Sequence, residues 1–82
     1  MNKRYLKTIL DTTKKHWEYS YDLEYRFEET EDGAIRLFVF FDAKDTYVDA
    51  FGLQSLMALG LTNISVKMVE EWFKIELEFN LR

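Results

Sequence analysis

Hydrophobic and polar residues alternate without a break in Trp-Glu-Tyr-Ser-Tyr-Asp-Leu-Glu-Tyr-Arg-Phe-Glu, positions 17 to 28. A period of two places Trp17, Tyr19, Tyr21, Leu23, Tyr25 and Phe27 on one side and Glu18, Ser20, Asp22, Glu24, Arg26 and Glu28 on the other, as in a half-buried strand. A second apolar segment runs from Ala34 to Asp42, joined to the first by Glu-Asp-Gly. With Gly33 as the left-handed residue closing a three-residue loop, Phe27 faces Leu37, Tyr25 faces Val39, Leu23 faces Phe41 and Glu28 faces Arg36. A two-residue Asp-Gly turn would slip the register by one and set the acids of the first strand beside Leu37, Val39 and Phe41, which is worse. The chosen register puts Phe38 and Phe40 on the face of Glu24, Arg26 and Glu28.

Before this hairpin, Tyr5, Leu6, Ile9 and Leu10 recur at helical spacing, predicting an amphipathic helix from an Asn2 cap to about Lys15. Lys14 and Lys15 suit its C-terminal dipole, whereas Lys3 and Arg4 oppose its start. After the hairpin, Thr46 with Asp49 imitates a capping box, and Gly60 supplies a left-handed stop. The expected core stripe of this second helix is Val48, Phe51, Ser55, Leu56 and Leu59, with small Gly52 and Ser55 allowing close approach to a sheet. Leu53 and Met57 lie on another side, as filling between the helices or as a contact surface.

The chain closes with a second alternating pair, Ile64 to Met68 and Phe73 to Leu81. Folding it at Glu70 and Glu71 aligns Met68 with Phe73, Val66 with Ile75 and Ile64 with Leu77. The order helix, strand, strand, helix, strand, strand comprises two similar halves. The second and fourth strands are the most apolar and belong at the centre, with the charged first and a short third at the edges. The connection from strand two to strand three then spans one intervening strand, a split crossover. The predicted fold is a single α+β domain over residues 1–82. It is a two-layer sandwich with an antiparallel sheet of order 3-4-2-1 and both helices on one face, a ferredoxin-like arrangement circularly permuted by one strand.

Composition changes this picture only by tightening it. In 82 residues, of which 48% are hydrophobic and 17% aromatic, a small core must be built largely from rings. There is no cysteine, which excludes disulfides and thiolate metal sites. The longest uncharged run, Ala50 to Val66, is interrupted by polar residues and too short in its apolar part to span a bilayer. Lys3 and Arg4 are followed by no secretory pattern, so a cytoplasmic protein is expected.

Charge is unevenly spread within the net −4. Residues 2–16 hold Lys3, Arg4, Lys7, Lys14 and Lys15 against Asp11, while residues 17–49 hold ten acids against Arg26, Arg36 and Lys44. An acidic middle attracts basic protein surfaces and repels phosphate backbones.

The open sheet face is the candidate site, with Glu18, Asp22, Glu24, Glu28, Phe38, Phe40, Trp72, Glu76 and Glu78 as partner-binding residues. Aromatics on an open four-stranded face are also how one RNA-binding class stacks bases. Here the carboxylates outnumber Arg26, Arg36, Lys67 and Lys74, so electrostatics speaks against direct nucleic-acid binding. Carboxylates spaced roughly 6 to 7 Å apart along a strand approximate a phosphate repeat and would engage Lys and Arg of a nucleic-acid-binding site. In size, charge and lack of catalytic groups the chain is similar to anti-CRISPR and DNA-mimic inhibitors of phage origin, which act in the host cytoplasm. The sequence therefore points to a non-enzymatic, acidic protein-binding module without cofactor or metal, its partner a protein with a basic surface. The alternative is a structural or regulatory domain, natural or designed, that meets only a second copy of itself. Catalysis has little to stand on. His16 is the only histidine, and Asp22 with Glu24 lacks the walls that would separate two pKa values or the further ligands a cation needs.

Overall fold

The computed structural model describes residues 3–17, 20–45 and 48–81, and of residues 20–22 the backbone alone. The Asn2 cap, Glu18, Tyr19 and Thr46 lie outside the described residues. The elements are α1 (Lys3–His16), β1 (Ser20–Glu29), β2 (Ile35–Ala43), α2 (Ala50–Ala58), β3 (Leu61–Val69) and β4 (Trp72–Leu81). The strands form one antiparallel sheet in the order β1-β2-β4-β3, the predicted permuted ferredoxin-like order. No described helix is long and apolar enough to cross a membrane.

The second hairpin holds the register expected of it, and the first does so from Glu24 to Glu29, while the expected pairing of Leu23 with Phe41 is replaced by a bulge. Phe27 pairs with Leu37, Tyr25 with Val39 and Glu28 with Arg36. The loop closes with Thr30 N–H donating to the Ala34 carbonyl at 2.8 Å and Gly33 N–H to the Thr30 carbonyl at 3.0 Å, with Gly33 at φ +82°. The Thr30 hydroxyl donates to Asp32, which with the Ala34 N–H holds the Asp32 carboxyl below its ordinary pKa. In the second hairpin Met68 pairs with Phe73, Val66 with Ile75 and Ile64 with Leu77. Glu70 carries its turn at φ +56°, a conformation that a residue with a Cβ adopts at a cost.

The core lies between the helices and one sheet face. Leu37, Val39, Phe41, Ile75, Leu77 and Phe79 rise from β2 and β4 to meet Ile9 of α1 and Leu56 of α2, all buried. The expected central strands supply this layer because each alternates large apolar residues on its helix-facing side. β3 spans Leu61–Val69 and is as long as β2, so the expectation of a short third strand does not hold.

Three further expectations are corrected. Trp17 does not open β1. Its N–H continues α1 by donating to the Thr13 carbonyl at 2.9 Å, and its ring is buried edge-on against Phe41 at 5.2 Å. A large ring gains more by sealing the corner under the sheet than by lengthening an edge strand. Its Nε1 has no hydrogen-bond partner among the described residues.

The alternation in β1 is also interrupted. Tyr21 pairs with Asp42 and Glu24 with Phe40, so two residues of β1 oppose Phe41 alone. This bulge breaks the parity, and the face assignment made for Leu23 to Phe27 does not carry back to Tyr21.

Finally, α2 starts at Ala50. Asp49 is its cap, accepting from the Gly52 N–H at 2.6 Å. The shorter helix buries Gly52 and Leu56 but leaves Ser55 exposed and Phe51 76% exposed, so the expected stripe is only partly core. Gly52 serves contact with α1 rather than with the sheet, for a Cβ there would fall inside the His16 side chain. Gly60 ends the helix at φ +106°, as predicted, with its N–H on the Met57 carbonyl at 3.0 Å.

Candidate protein-binding face

Because the helices occupy one side of the sheet, the register determines what stands together on the other. One row across the strands is Glu24, Phe40, Glu76 and Ser65, and the next is Arg26, Phe38, Glu78 and Asn63. Glu28, Arg36 and Asn80 form a third row, and Asp42, Lys74 and Lys67 a fourth. The alternation that builds the core thus also gathers Glu24, Glu28, Phe38, Phe40, Glu76 and Glu78 on one surface. Trp72 begins β4 on the same parity, 38% exposed, with the Lys44 ammonium 5.6 Å from its ring centroid. Glu18 lies outside the described residues, as does the side chain of Asp22.

The phenylalanines do not stand bare on this face. Arg26 spreads its guanidinium 4.5 Å from the Phe38 ring centroid and 5.8 Å from that of Phe40. Its far nitrogen reaches a Glu76 carboxylate oxygen at 3.6 Å. Phe38 is consequently only 7% exposed although no described helix or strand covers it, while Phe40 is half-buried. A half-exposed cation stacked in this way contributes roughly 0.5–1 kcal/mol. The exposed ion pair adds little, so the lid is held mainly by stacking. Sequence reasoning put Arg26 and Phe38 on one face but missed the lid. The signal was present, since the register that sets Glu28 opposite Arg36 also sets Arg26 opposite Phe38.

The described face is less acidic than the strand pattern suggests. Glu24, Glu28, Asp42, Glu76 and Glu78 are met by Arg26, Arg36, Lys67, Lys74 and, over the Trp72 ring, Lys44, five carboxylates against five cations. The charges are segregated. Glutamates surround the roofed phenylalanines, and Lys67 stands directly opposite Lys74 toward the Trp72 end. Between these zones is a shallow depression of about 590 Å³ whose lining includes Glu24, Arg26, Phe40, Lys74 and Glu76. Thr62 donates to the Glu78 carboxylate at 3.2 Å and steadies it against the β3 edge.

No group of three His, Asp or Glu side chains able to hold a metal occurs among the described residues. His16 is remote from the face in role. Its Nδ1 lies 3.1 Å from an Asp49 carboxylate oxygen, where it ties the end of α1 to the start of α2. The Gly52 N–H and then His16 hold the Asp49 carboxyl below its ordinary pKa. Leu53 is half-buried and Met57 60% exposed, so the second surface considered from the sequence is at least partly available. Comparison with protein-family models, with curated proteins and with solved structures gives no match.

Proposed function

We propose that this chain is a non-enzymatic protein-binding module whose uncovered sheet face docks onto a basic protein surface. The observation that carries the reading is the cluster of Glu24, Glu28, Glu76 and Glu78 around an aromatic pair on a face that no described element covers. Alternate strand residues and neighbouring strands space such carboxylates at roughly 5 to 7 Å, a spacing that suits Lys and Arg side chains arranged to grip phosphates. Its most concrete form is an inhibitor that occupies the nucleic-acid site of another protein in the cytoplasm, or in the host cytoplasm if the chain is phage-encoded. The Arg26 lid fits this reading. A partner carboxylate or aromatic could draw Arg26 away, presenting Phe38 and Phe40 as apolar anchors inside a charged rim.

The test neutralises charge without removing bulk. A variant carrying E24Q, E28Q, E76Q and E78Q is compared with the parent for displacement of nucleic acid from a panel of basic nucleic-acid-binding proteins. Displacement by the parent that fades as salt rises and is lost in the variant supports the reading. Equal displacement by both proteins removes it.

A second reading, self-association through α2, is favoured by one observation. Phe51 and Met57 are 76% and 60% exposed, a large apolar outlay for so short a helix. Sedimentation at micromolar concentration decides between the two, because a dimer abolished by Met57→Glu but not by the four glutamines supports the second.

A further inference from the structure

We propose that the groove between α1 and the free edge of β1 binds an extended acidic peptide segment, which joins the sheet as an added strand. The sheet order ends at β1, so among the described residues the outer N–H and C=O groups of Leu23 to Glu29 pair with no strand. Past the bulge, Glu24 to Glu29 run in unbroken register with β2, leaving a regular edge on which another strand can template. No proline blunts this edge.

The helix beside the edge leaves it uncovered. Tyr25 and Phe27 point to the helix side of the sheet yet are 47% and 43% exposed, with their rings edge-on at 5.7 Å. Two adjoining depressions of about 570 and 410 Å³ run along them and share Lys3, Leu6 and Tyr25. Leu10 and Leu23 continue the apolar floor toward the C-terminal end of α1. An added strand would lay alternate side chains on this floor while its backbone pairs with β1, the mode by which helix-and-edge grooves recognise extended peptides.

Charge selects the occupant and its direction. The α1 wall presents Lys3, Lys7 and Lys14, of which Lys7 is paired with Asp11 at 3.2 Å. Lys14 has no ion pair among the described residues, and the one described acid lining its end of the groove is Asp11, already held by Lys7. Glu28 and Glu29 stand at the other end, near Lys3. The fitting peptide therefore carries apolar groove-facing residues over Tyr25 and Phe27 and a carboxylate at the Lys14 end. A second copy of the chain fits poorly. Pairing β1 with β1 of a partner places both α1 helices on one side of the joined sheet, each with five cations against one acid.

The probe is a fluorescein-labelled peptide, Asp-Thr-Leu-Thr-Leu-Thr-Leu, compared with the same peptide carrying Lys in place of Asp. Fluorescence polarisation should give saturable binding of the Asp peptide at least about tenfold tighter than the Lys peptide. Lys14→Glu should reverse that preference, a swap that a merely destabilised protein would not produce. Amide shifts should map to Leu23–Glu29, and N-methylation of alternate peptide residues should abolish binding, since it blocks edge pairing without touching the protein. No saturation by about 1 mM, equal affinity for the two peptides, or unchanged binding after N-methylation overturns the proposal. So does tighter binding of a single-stranded oligothymidylate, or a dimer in sedimentation that Phe27→Asp dissolves. Of the four glutamates of the opposite face, Glu28 alone also lines the groove. The peptide is therefore also titrated against a variant carrying only E24Q, E76Q and E78Q, whose peptide binding should equal the parent's and thereby keeps the two tests distinguishable.

Discussion

The two halves of the chain share an order, helix then hairpin, but not a division of labour. α1 runs for 14 residues, buries Ile9 and Thr13, and ends on the buried Trp17. α2 runs for 9 residues, buries Leu56 and little else of size, and leaves Phe51 and Met57 in solvent. The hairpins differ in the same direction. The first turns on Gly33, for which a left-handed conformation is inexpensive, and the second on Glu70, for which it is not. Stability is therefore concentrated in the first half and the sheet centre, and the second half keeps apolar surface that a core would have consumed.

The largest test of this asymmetry is Trp17→Ala, expected to cost about 3–5 kcal/mol in urea unfolding, because it empties the corner against Phe41. A cost below about 1 kcal/mol would show that the corner collapses and that Trp17 is not the anchor of the first half. Next is Gly60→Ala. It forces a Cβ into a left-handed position 2.8 Å from the Asn80 carbonyl oxygen and should cost about 1–2 kcal/mol, lowering the thermal midpoint. In the opposite direction, Glu70→Gly should gain about 0.5–1 kcal/mol, since it relieves the one non-glycine positive φ among the described residues.

Acid sensitivity sharpens the comparison at the helix junction. The folded state holds the Asp49 carboxyl below its ordinary pKa, so its contribution is complete above about pH 4 and is lost as pH falls through the depressed value. Asp49→Asn should remove that part of the acid-unfolding slope while leaving the hairpins in place, which a pH series followed by circular dichroism resolves. The smallest effect belongs to Met57→Glu, expected within about 0.5 kcal/mol of the parent by urea unfolding. A loss of several kcal/mol would instead reveal that α2 packs more deeply than its exposure indicates, or that the folded unit is a dimer.

What the sequence determined by itself was periodicity and its direct consequences. The continuous apolar run of Leu37 to Phe41 and the strict alternation of Phe73 to Leu81 named the central strands as the most apolar ones, and a period of two leaves each residue only one face to choose. Gly33 and the Glu70–Glu71 turn then set both registers, and with them the gathering of Glu24, Glu28, Phe38, Phe40, Glu76 and Glu78 on one surface. Tertiary structure decided whatever depended on competition between neighbours for the same space. It drew Trp17 off the strand into the core and put a bulge opposite Phe41. It shortened α2 to an Asp49 cap because His16 and the Gly52 N–H both seek that carboxylate. It laid Arg26 across Phe38 as well, since a guanidinium gains from two rings and a glutamate at once. A one-dimensional pattern records which side a residue faces, but what covers it there depends on the sizes and charges of groups brought near by folding.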